Sequence, residues 1–182
     1  MKYLKTAEKA MMQRILSQFR QTLTLLGCLL FVGWGMLCLP SSALAQENTV
    51  DYTLTDLSFR DFSHQNLSGT SFAAAEMREA NFEGADLSAT ILTKASFVKA
   101  NLVGVDLSKT FADRVVFDQA DLTNAIVTDA IMTSSTFTDA NITGADFSGT
   151  ILDRYQVAQM CKHADGTNPV TQVSTRDSLG CR

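Results

Sequence analysis

Between residues 57 and 152 an apolar residue recurs at every fifth position without a slip. Fifteen of these twenty positions hold Leu or Phe. The residue two places earlier is Ala in ten units, and the residue one place earlier is Asp or Asn in ten. A period of five matches neither the 3.6-residue period of an α-helix nor the two-residue alternation of a strand. The pattern therefore predicts a repeat architecture in which the five-residue unit is the structural element.

The repeated unit A-(D/N)-(L/F)-x-x resembles the pentapeptide-repeat family over residues 50–152. The resemblance implies an all-β solenoid, a right-handed quadrilateral β-helix of about five coils. Each unit would form one side of a square coil, with the central Leu or Phe and the preceding Ala pointing inward. Residues twenty apart should then stack in four inner columns. At a strand spacing of about 4.8 Å, five coils make a rod roughly 25 Å long.

One outward column of this rod departs from the pattern of Asp and Asn. It holds a large apolar residue in four consecutive coils, namely Ile91, Phe111, Ile131 and Ile151. Three residues further on, the same side carries the basic residues Lys94, Arg114 and Arg154. Clustered exposed apolar surface often marks an interaction site, so these seven residues are the candidate interaction surface. Two alternatives are coverage by the C-terminal tail and simple β-propensity of branched side chains.

The first 45 residues have the pattern of a signal peptide. A basic start is followed by an apolar run over residues 23–39 and by Ala43-Leu44-Ala45. This arrangement is typical of a secretory signal, and we predict cleavage between Ala45 and Gln46. An uncleaved membrane anchor and a lipoprotein signal at Cys28 are the alternatives. Translation could also begin at Met11 or Met12, which would shorten the basic segment.

Removal of residues 1–45 changes the charge of the chain. The full sequence has a net charge of -4, but the leader holds five basic residues and one acid. The mature chain keeps 10 basic and 18 acidic residues, a net charge of -8. An acidic chain of this kind is not a generic nucleic-acid binder, which needs clustered Lys and Arg.

The C-terminal segment 153–182 is predicted to cap the rod. Residues 153–162 are expected to form a short helix, and Ser174 and Gly180 have the character of a helix cap and stop for a further turn. Cys161 and Cys181 are the two cysteines left after signal removal, and an even number in an exported chain favours a disulfide between them. Residues 160–181 also resemble the C-terminal tail of pentapeptide-repeat proteins of the thylakoid lumen. This resemblance implies export to the thylakoid lumen or the periplasm.

The sequence argues against an enzyme, a cofactor and a metal site. His64 and His163 lack the neighbours that a metal centre or a catalytic triad requires. The regularly spaced acids, such as Asp86 and Asp106, recur because the unit recurs, so we interpret them as a solvated face rather than as catalytic carboxylates.

The predicted function is that of a non-catalytic exported module that binds another protein, binds itself or serves a structural role. The alternative is a DNA mimic that binds a topoisomerase such as gyrase, because some members of the family resemble duplex DNA in shape and charge. A catalytic role of the acidic faces is a third possibility.

Overall fold

A computed structural model describes residues 50–182, so the predicted signal peptide and its cleavage site at Ala45 and Gln46 lie outside the described residues. Over residues 51–151, the backbone forms isolated parallel bridges that each join two residues twenty apart. The bridges run from the pair Asp51 and Ser71 to the pair Ile131 and Ile151. Four five-residue sides therefore make one coil, and each coil stacks directly on the next.

We name the four sides of the rod by their inward central residues, and the structure confirms the predicted columns. Side A is centred on Tyr52, Phe72, Leu92, Ala112, Met132 and Leu152. Side B is centred on Leu57, Met77, Phe97, Phe117 and Phe137. Side C is centred on Phe62, Phe82, Leu102, Leu122 and Ile142. Side D is centred on Leu67, Leu87, Leu107, Val127 and Phe147.

The core is a stack of these columns along the axis of the rod. On side B the ring of Phe117 stacks on Phe97 at 5.3 Å and on Phe137 at 5.1 Å between centroids. Edge-to-face contacts join neighbouring sides, as between Phe82 and Phe97 at 5.5 Å. Ala112 is the smallest central residue, and it is buried together with Val105 and Val115. These two valines occupy slots that ten other units fill with Ala.

Each corner of the coil is a turn that requires a left-handed residue. The N–H of Thr55, for example, donates to the carbonyl oxygen of Tyr52 at 3.1 Å and closes a four-residue turn. The second central residue of such a turn has a positive φ, which glycine adopts most easily. Only five of the twenty corners from residue 54 to residue 149 hold Gly, and the other fifteen hold side chains with φ between 54° and 61°. A left-handed conformation costs an L-residue roughly 1–2 kcal/mol, so the stacking of the coils must compensate for these corners.

The tail contains two helices, α1 over Arg154–Met160 and α2 over Thr175–Ser178. Helix α1 lies inside the range 153–162 predicted for it. The Oγ of Ser174 accepts a hydrogen bond from the N–H of Asp177 at 3.1 Å, which confirms the predicted cap. Gly180 follows α2 with a φ of 65°, as a helix stop requires. No helix in residues 50–182 is long and apolar enough to cross a membrane.

The tail supplies hydrogen-bond partners to the last coil. In inner coils, backbone N–H groups such as that of Gly104 donate to carbonyl oxygens of the next coil. Three such groups of the last coil bind the tail instead. These bonds run from Ser134 N to Asp153 Oδ2 at 2.7 Å, from Gly144 N to Asp165 O at 2.8 Å, and from Phe147 N to Ser178 Oγ at 3.0 Å. The tail thus takes the place of a further coil at these positions.

Candidate interaction surface

The four large apolar residues of the outer column of side A lie in one line along the rod. Parallel bridges join Ile91 to Phe111, Phe111 to Ile131 and Ile131 to Ile151. Their exposed fractions are 46% for Ile91, 46% for Phe111, 37% for Ile131 and 55% for Ile151. The backbone of this column is occupied by bonds along the rod, so its side chains are what it presents to solvent.

The corresponding residues of sides C and D are mostly Asp or Asn, and they have a local task; on side B only Asp56 is of this type. On side D, Asp86 Oδ1 accepts a hydrogen bond from the N–H of Ser88 at 2.9 Å, and Asp106 does the same for Ser108 at 2.8 Å. An Asp or Asn side chain that binds the N–H two residues on stabilises the turn. An Ile or Phe cannot accept this bond. The apolar column of side A therefore gives up a stabilising contact that the repeat normally makes.

Basic residues border this column at both corners. Lys94 and Arg114 occupy the corner that follows side A, and both are exposed with φ near 60°. Lys109, which is not among the seven residues predicted from the sequence, lies exposed at the corner that precedes side A, and the next residue of that corner column is the exposed acid Asp129. Following the residue two places after each central apolar residue would have revealed Lys109. Arg154 differs from the predicted column, because it is the first residue of α1 and not a turn of the repeat.

Asp113 is an acid that pairs with one of these basic corner residues. Arg114 Nε donates to Asp113 Oδ2 at 2.7 Å, and the Thr133 hydroxyl donates to Asp113 Oδ1 at 2.7 Å. Hydrogen bonds from Thr133 and then from Arg114 lower the pKa of Asp113 below its usual value. This carboxylate therefore stays charged, and it is paired with Arg114.

The C-terminal tail leaves the apolar column open. Its hydrogen bonds with the rod are made near Ile142, Gly144 and Phe147 on sides C and D, and at Ser134, the corner that follows side A. Ile151, the column residue nearest to the tail in sequence, is the most exposed of the four. Coverage by the described part of the tail is therefore not the explanation of this column.

The acidic and amide side chains of side C form a ladder along the rod. Asn81 Nδ2 donates to Asp61 Oδ1 at 3.0 Å, and Asn101 Nδ2 donates to Asn81 Oδ1 at 3.0 Å. Their oxygens also accept backbone N–H groups of their own turns. These groups are engaged with one another and with the backbone, as expected of a structural face.

Asp146 is the most buried carboxylate of side D. Burial acts to raise its pKa, but hydrogen bonds, chiefly from Ser148, together lower the pKa overall. The Ser148 N–H donates to Asp146 Oδ1 at 2.9 Å. Asp146 is thus held as a charged turn-stabilising group.

His64 and His163 lie in different parts of the molecule. Within residues 50–182 no group of three or more His, Cys, Asp or Glu is placed to hold a metal ion. His163 lines a shallow pocket of about 270 Å³ between side B of the last coil and α1, together with Phe137, Asp139, Tyr155 and Lys162. Lys162 Nζ is bound to Gln159 Oε1 at 2.6 Å. Far from this pocket, the ring of His64 lies over Gly84.

Cys161 and Cys181 are joined by a disulfide, with an S–S distance of 1.99 Å. The bond connects the end of α1 to the residue after Gly180. Arg176 reinforces the same junction, since its Nη1 donates to the carbonyl oxygen of Cys161 at 3.0 Å.

Comparison with known proteins identifies the family of this chain. The family model described as "Pentapeptide repeats" matches eight copies, at residues 55–93, 77–109 and 116–154. The chain belongs to the pentapeptide-repeat family, whose members fold as right-handed quadrilateral β-helices. A search of curated proteins gave no match.

Two solved structures illustrate the similarity. A pentapeptide repeat protein from the thylakoid lumen of Arabidopsis thaliana is 37% identical, with a TM-score of 0.71; the match covers 72% of this chain and 91% of that one. A pentapeptide repeat protein from Nostoc Pcc 7120 is 22% identical, with a TM-score of 0.49, and the match covers 57% of this chain and 84% of that one. The first similarity agrees with the resemblance noted for the tail.

Proposed function

We propose that this protein is a non-catalytic, exported interaction module, and that the outer column of side A with its basic corners is where it binds. The observation that carries the proposal is the exposure of Ile91, Phe111, Ile131 and Ile151 in four consecutive coils. Apolar side chains in this position forgo the turn hydrogen bond that Asp or Asn would make. A contact with a partner compensates for both the lost bond and the exposed apolar area.

The proposal includes the arrangement of the chain. A signal peptide over residues 1–45 would be cleaved between Ala45 and Gln46 during export. The rod of about five coils would span residues 50–152, and residues 153–182 would form a helical cap held by the disulfide. In support, the tail binds backbone N–H groups of the last coil, and a solenoid needs its ends covered for solubility.

Two observations support the thylakoid lumen or the periplasm as the compartment. One is the 37% identity to a protein of the Arabidopsis thylakoid lumen. The other is the disulfide between Cys161 and Cys181, because disulfides persist in oxidising compartments. A leader with a basic start, an apolar run and a small-residue end suits export to either place.

A non-catalytic role fits the family, whose members are generally structural or interaction modules. The carboxylates on sides C and D are engaged in turns and ladders, which suits a structural face. Loss of an activity on replacing Asp86 and Asp106, with folding retained, would contradict this part of the proposal.

The test is cross-linking of the tagged full-length protein in its native host, followed by mass spectrometry of what is attached. We expect the variant with Phe111→Ser and Ile131→Ser to lose the partners that the unaltered protein captures. The matched control is Ile126→Ser. Ile126 lies on side D at the same repeat position, directly before the central residue Val127. Retention of the same partners by the side A variant, at equal protein level, would refute the proposed binding surface.

The acidic character of the mature chain supports one alternative, a DNA mimic that binds a topoisomerase such as gyrase. The net charge of -8 and the regular ladder on side C are the relevant features. Cell fractionation separates the two functions. Recovery of the mature chain in the cytosol would favour the DNA mimic, and recovery in the lumen or periplasm would favour the exported module.

A further inference from the structure

Three backbone groups on side B of the last coil have no hydrogen-bond partner within residues 50–182. They are the N–H groups of Phe137 and Asp139 and the carbonyl oxygen of Ser135. Phe137 is only 4% exposed. Unpaired backbone groups at buried positions cost free energy, and native proteins rarely leave them without a partner. Side B of the last coil is therefore an incomplete hydrogen-bonding edge.

The coil before the last shows what this edge lacks. There the equivalent three groups of side B bind an extended stretch of the next coil, residues 136–138. The bonds run from Phe117 N to Thr136 O at 2.9 Å, from Gln119 N to Thr138 O at 2.8 Å, and from Thr136 N to Val115 O at 3.0 Å. The same three bonds recur on side B of every earlier coil. The missing partner is thus an extended segment of three residues that runs parallel to side B.

Side A of the last coil shows the same kind of edge with its partner in place. Ile151 N donates to Ala130 O at 2.9 Å, and Met132 N donates to Ile151 O at 2.9 Å. The third group, Ser134 N, binds the side chain of Asp153 at 2.7 Å. The chain then enters α1 and does not continue along side B. The protein's own chain therefore completes side A and stops one side short.

Sides C and D of the last coil receive the rest of the tail. Gly144 N on side C and Phe147 N on side D each bind a tail residue, and the Thr175 hydroxyl donates to Ile142 O. Within residues 50–182, side B is the one side of the last coil that receives no hydrogen bond from the tail. Its edge is the place where the cap is incomplete.

A pocket of about 270 Å³ lies at this edge, between Phe137 and Asp139 on one side and Gln156 and Gln159 of α1 on the other. The titratable groups that line it are Asp139, Tyr155, Lys162 and His163. Acid and base are both present, so charge does not select the ligand. The backbone groups at the edge of the pocket do, because they require an extended main chain.

We propose that this edge binds an extended segment of a partner protein by strand addition. The first residue of the segment donates its N–H to Ser135 O and accepts from Phe137 N. The carbonyl oxygen of the third residue accepts from Asp139 N. The middle side chain faces Phe137, as Phe137 itself stacks on Phe117 at 5.1 Å, so an aromatic or other apolar residue fits there. This site is separate from the apolar column of side A and goes beyond the proposed function.

The experiment is an NMR titration of the ¹⁵N-labelled protein, purified from its native host. The probe is an acetylated and amidated peptide with the sequence of residues 95–100, because this stretch supplies the same three bonds on side B of an inner coil. Before the peptide is added, the amide protons of Phe137 and Asp139 should exchange with solvent faster than those of Phe117 and Gln119. Saturating peptide should shift both signals and slow their exchange at least about tenfold.

Two changes test the geometry of the complex. In the peptide, N-methylation of the residue that corresponds to Ser96 removes the donor to Ser135 O, and it should weaken binding about tenfold or more. In the protein, Gln156→Trp places a bulky side chain in the pocket and should abolish binding. The matched control is Ala158→Trp on the exposed part of the same helix outside the pocket, which should bind the peptide as the unaltered protein does.

Signals of Phe137 and Asp139 that stay unchanged up to the solubility limit of the peptide would overturn the inference. Equal binding of the N-methylated peptide, or by the Gln156→Trp protein, would also overturn it. Equal shifts with sodium acetate would assign the edge to a small anion instead. Exchange that slows as the protein alone is concentrated would assign it to a second copy. The proposed function is tested separately on side A, so it stands or falls independently of these outcomes.

Discussion

The two ends of the rod are built in different ways. At the C-terminal end, Asp153, Asp165 and Ser178 bind backbone N–H groups that inner coils would direct to a following coil. At the other end of the described chain, the first coil presents Leu54 and Phe59 to solvent. One end is thus closed by a dedicated, disulfide-linked segment, and the other carries exposed apolar corners. The difference predicts that the closed end is locally more stable than the first coil.

Removing the disulfide should have the largest effect on this contrast. The variant with Cys161→Ser and Cys181→Ser loses a cross-link that spans 20 residues, worth roughly 3 kcal/mol of unfolding free energy in the chain-entropy model. Hydrogen exchange followed by mass spectrometry should show faster exchange in residues 134–182, with exchange in residues 52–111 unchanged. Uniformly faster exchange along the rod would mean that the two ends are not independent.

Asn168 is the polar anchor of the tail. Its buried Nδ2 donates to the carbonyl oxygens of Gly144, Asn124 and Ala125 at 2.9–3.1 Å, and its Oδ1 accepts two N–H groups of the tail loop. Asn168→Ala leaves these buried groups without partners, at a cost of about 2–3 kcal/mol. Thermal unfolding should reveal the loss.

The control for Asn168→Ala is Val170→Ala in the same loop, which removes an exposed side chain. An Asn168→Ala protein as stable as this control would show that the tail is held by the disulfide alone.

Two glycines allow a direct comparison of the ends. Gly69 of the first coil has a φ of 70° and open space where a Cβ would be, so Gly69→Ala should cost only the strain of the turn, about 1 kcal/mol. Gly166 has a φ of 82°, and a Cβ there would lie 2.8 Å from the backbone N of Gly144. Gly166→Ala should cost about 1–2 kcal/mol more than Gly69→Ala, because the tail must move away from the coil. Equal melting temperatures of the two variants would contradict close packing of the tail against the last coil.

The smallest effect concerns pH and the first coil. The Thr53 hydroxyl is the main donor that lowers the pKa of Asp51, and the backbone N–H two residues on is the main donor that lowers the pKa of Asp56 and Asp61. A carboxyl whose pKa is lower in the folded state than in the unfolded state stabilises the fold at pH values above its unfolded-state pKa. That contribution is lost as the pH falls below about 4. The melting temperature should therefore drop slightly between about pH 5 and pH 3, and less so in a variant with all three changed to Asn. A melting temperature that rises over this interval would contradict the sign.

The sequence was sufficient for the core of this molecule, because the five-residue period determines which side chains point inward. The columns that contain Phe97, Phe117 and Phe137 follow directly from their spacing of twenty. The exposed corners were harder to predict from the sequence. Leu54 and Phe59 look like ordinary apolar residues until their turn position is known, and Lys109 is recognised as a neighbour of the apolar column of side A only when the corners are followed along the rod. The partners of Asn168 are 24 to 44 residues distant in sequence and have no local pattern that predicts them.

The spacing of twenty between bridged residues also limits how such a chain can change in length. An insertion of twenty residues adds a coil and leaves every later side chain on the same side of the rod. An insertion of five residues turns all that follows by a quarter of a revolution, so Phe111 and Ile131 would leave the line begun by Ile91. The hydrophobic pattern tolerates both insertions equally, because each preserves the five-residue period. A longer relative can therefore share this contact surface only if the extra five-residue units come in multiples of four.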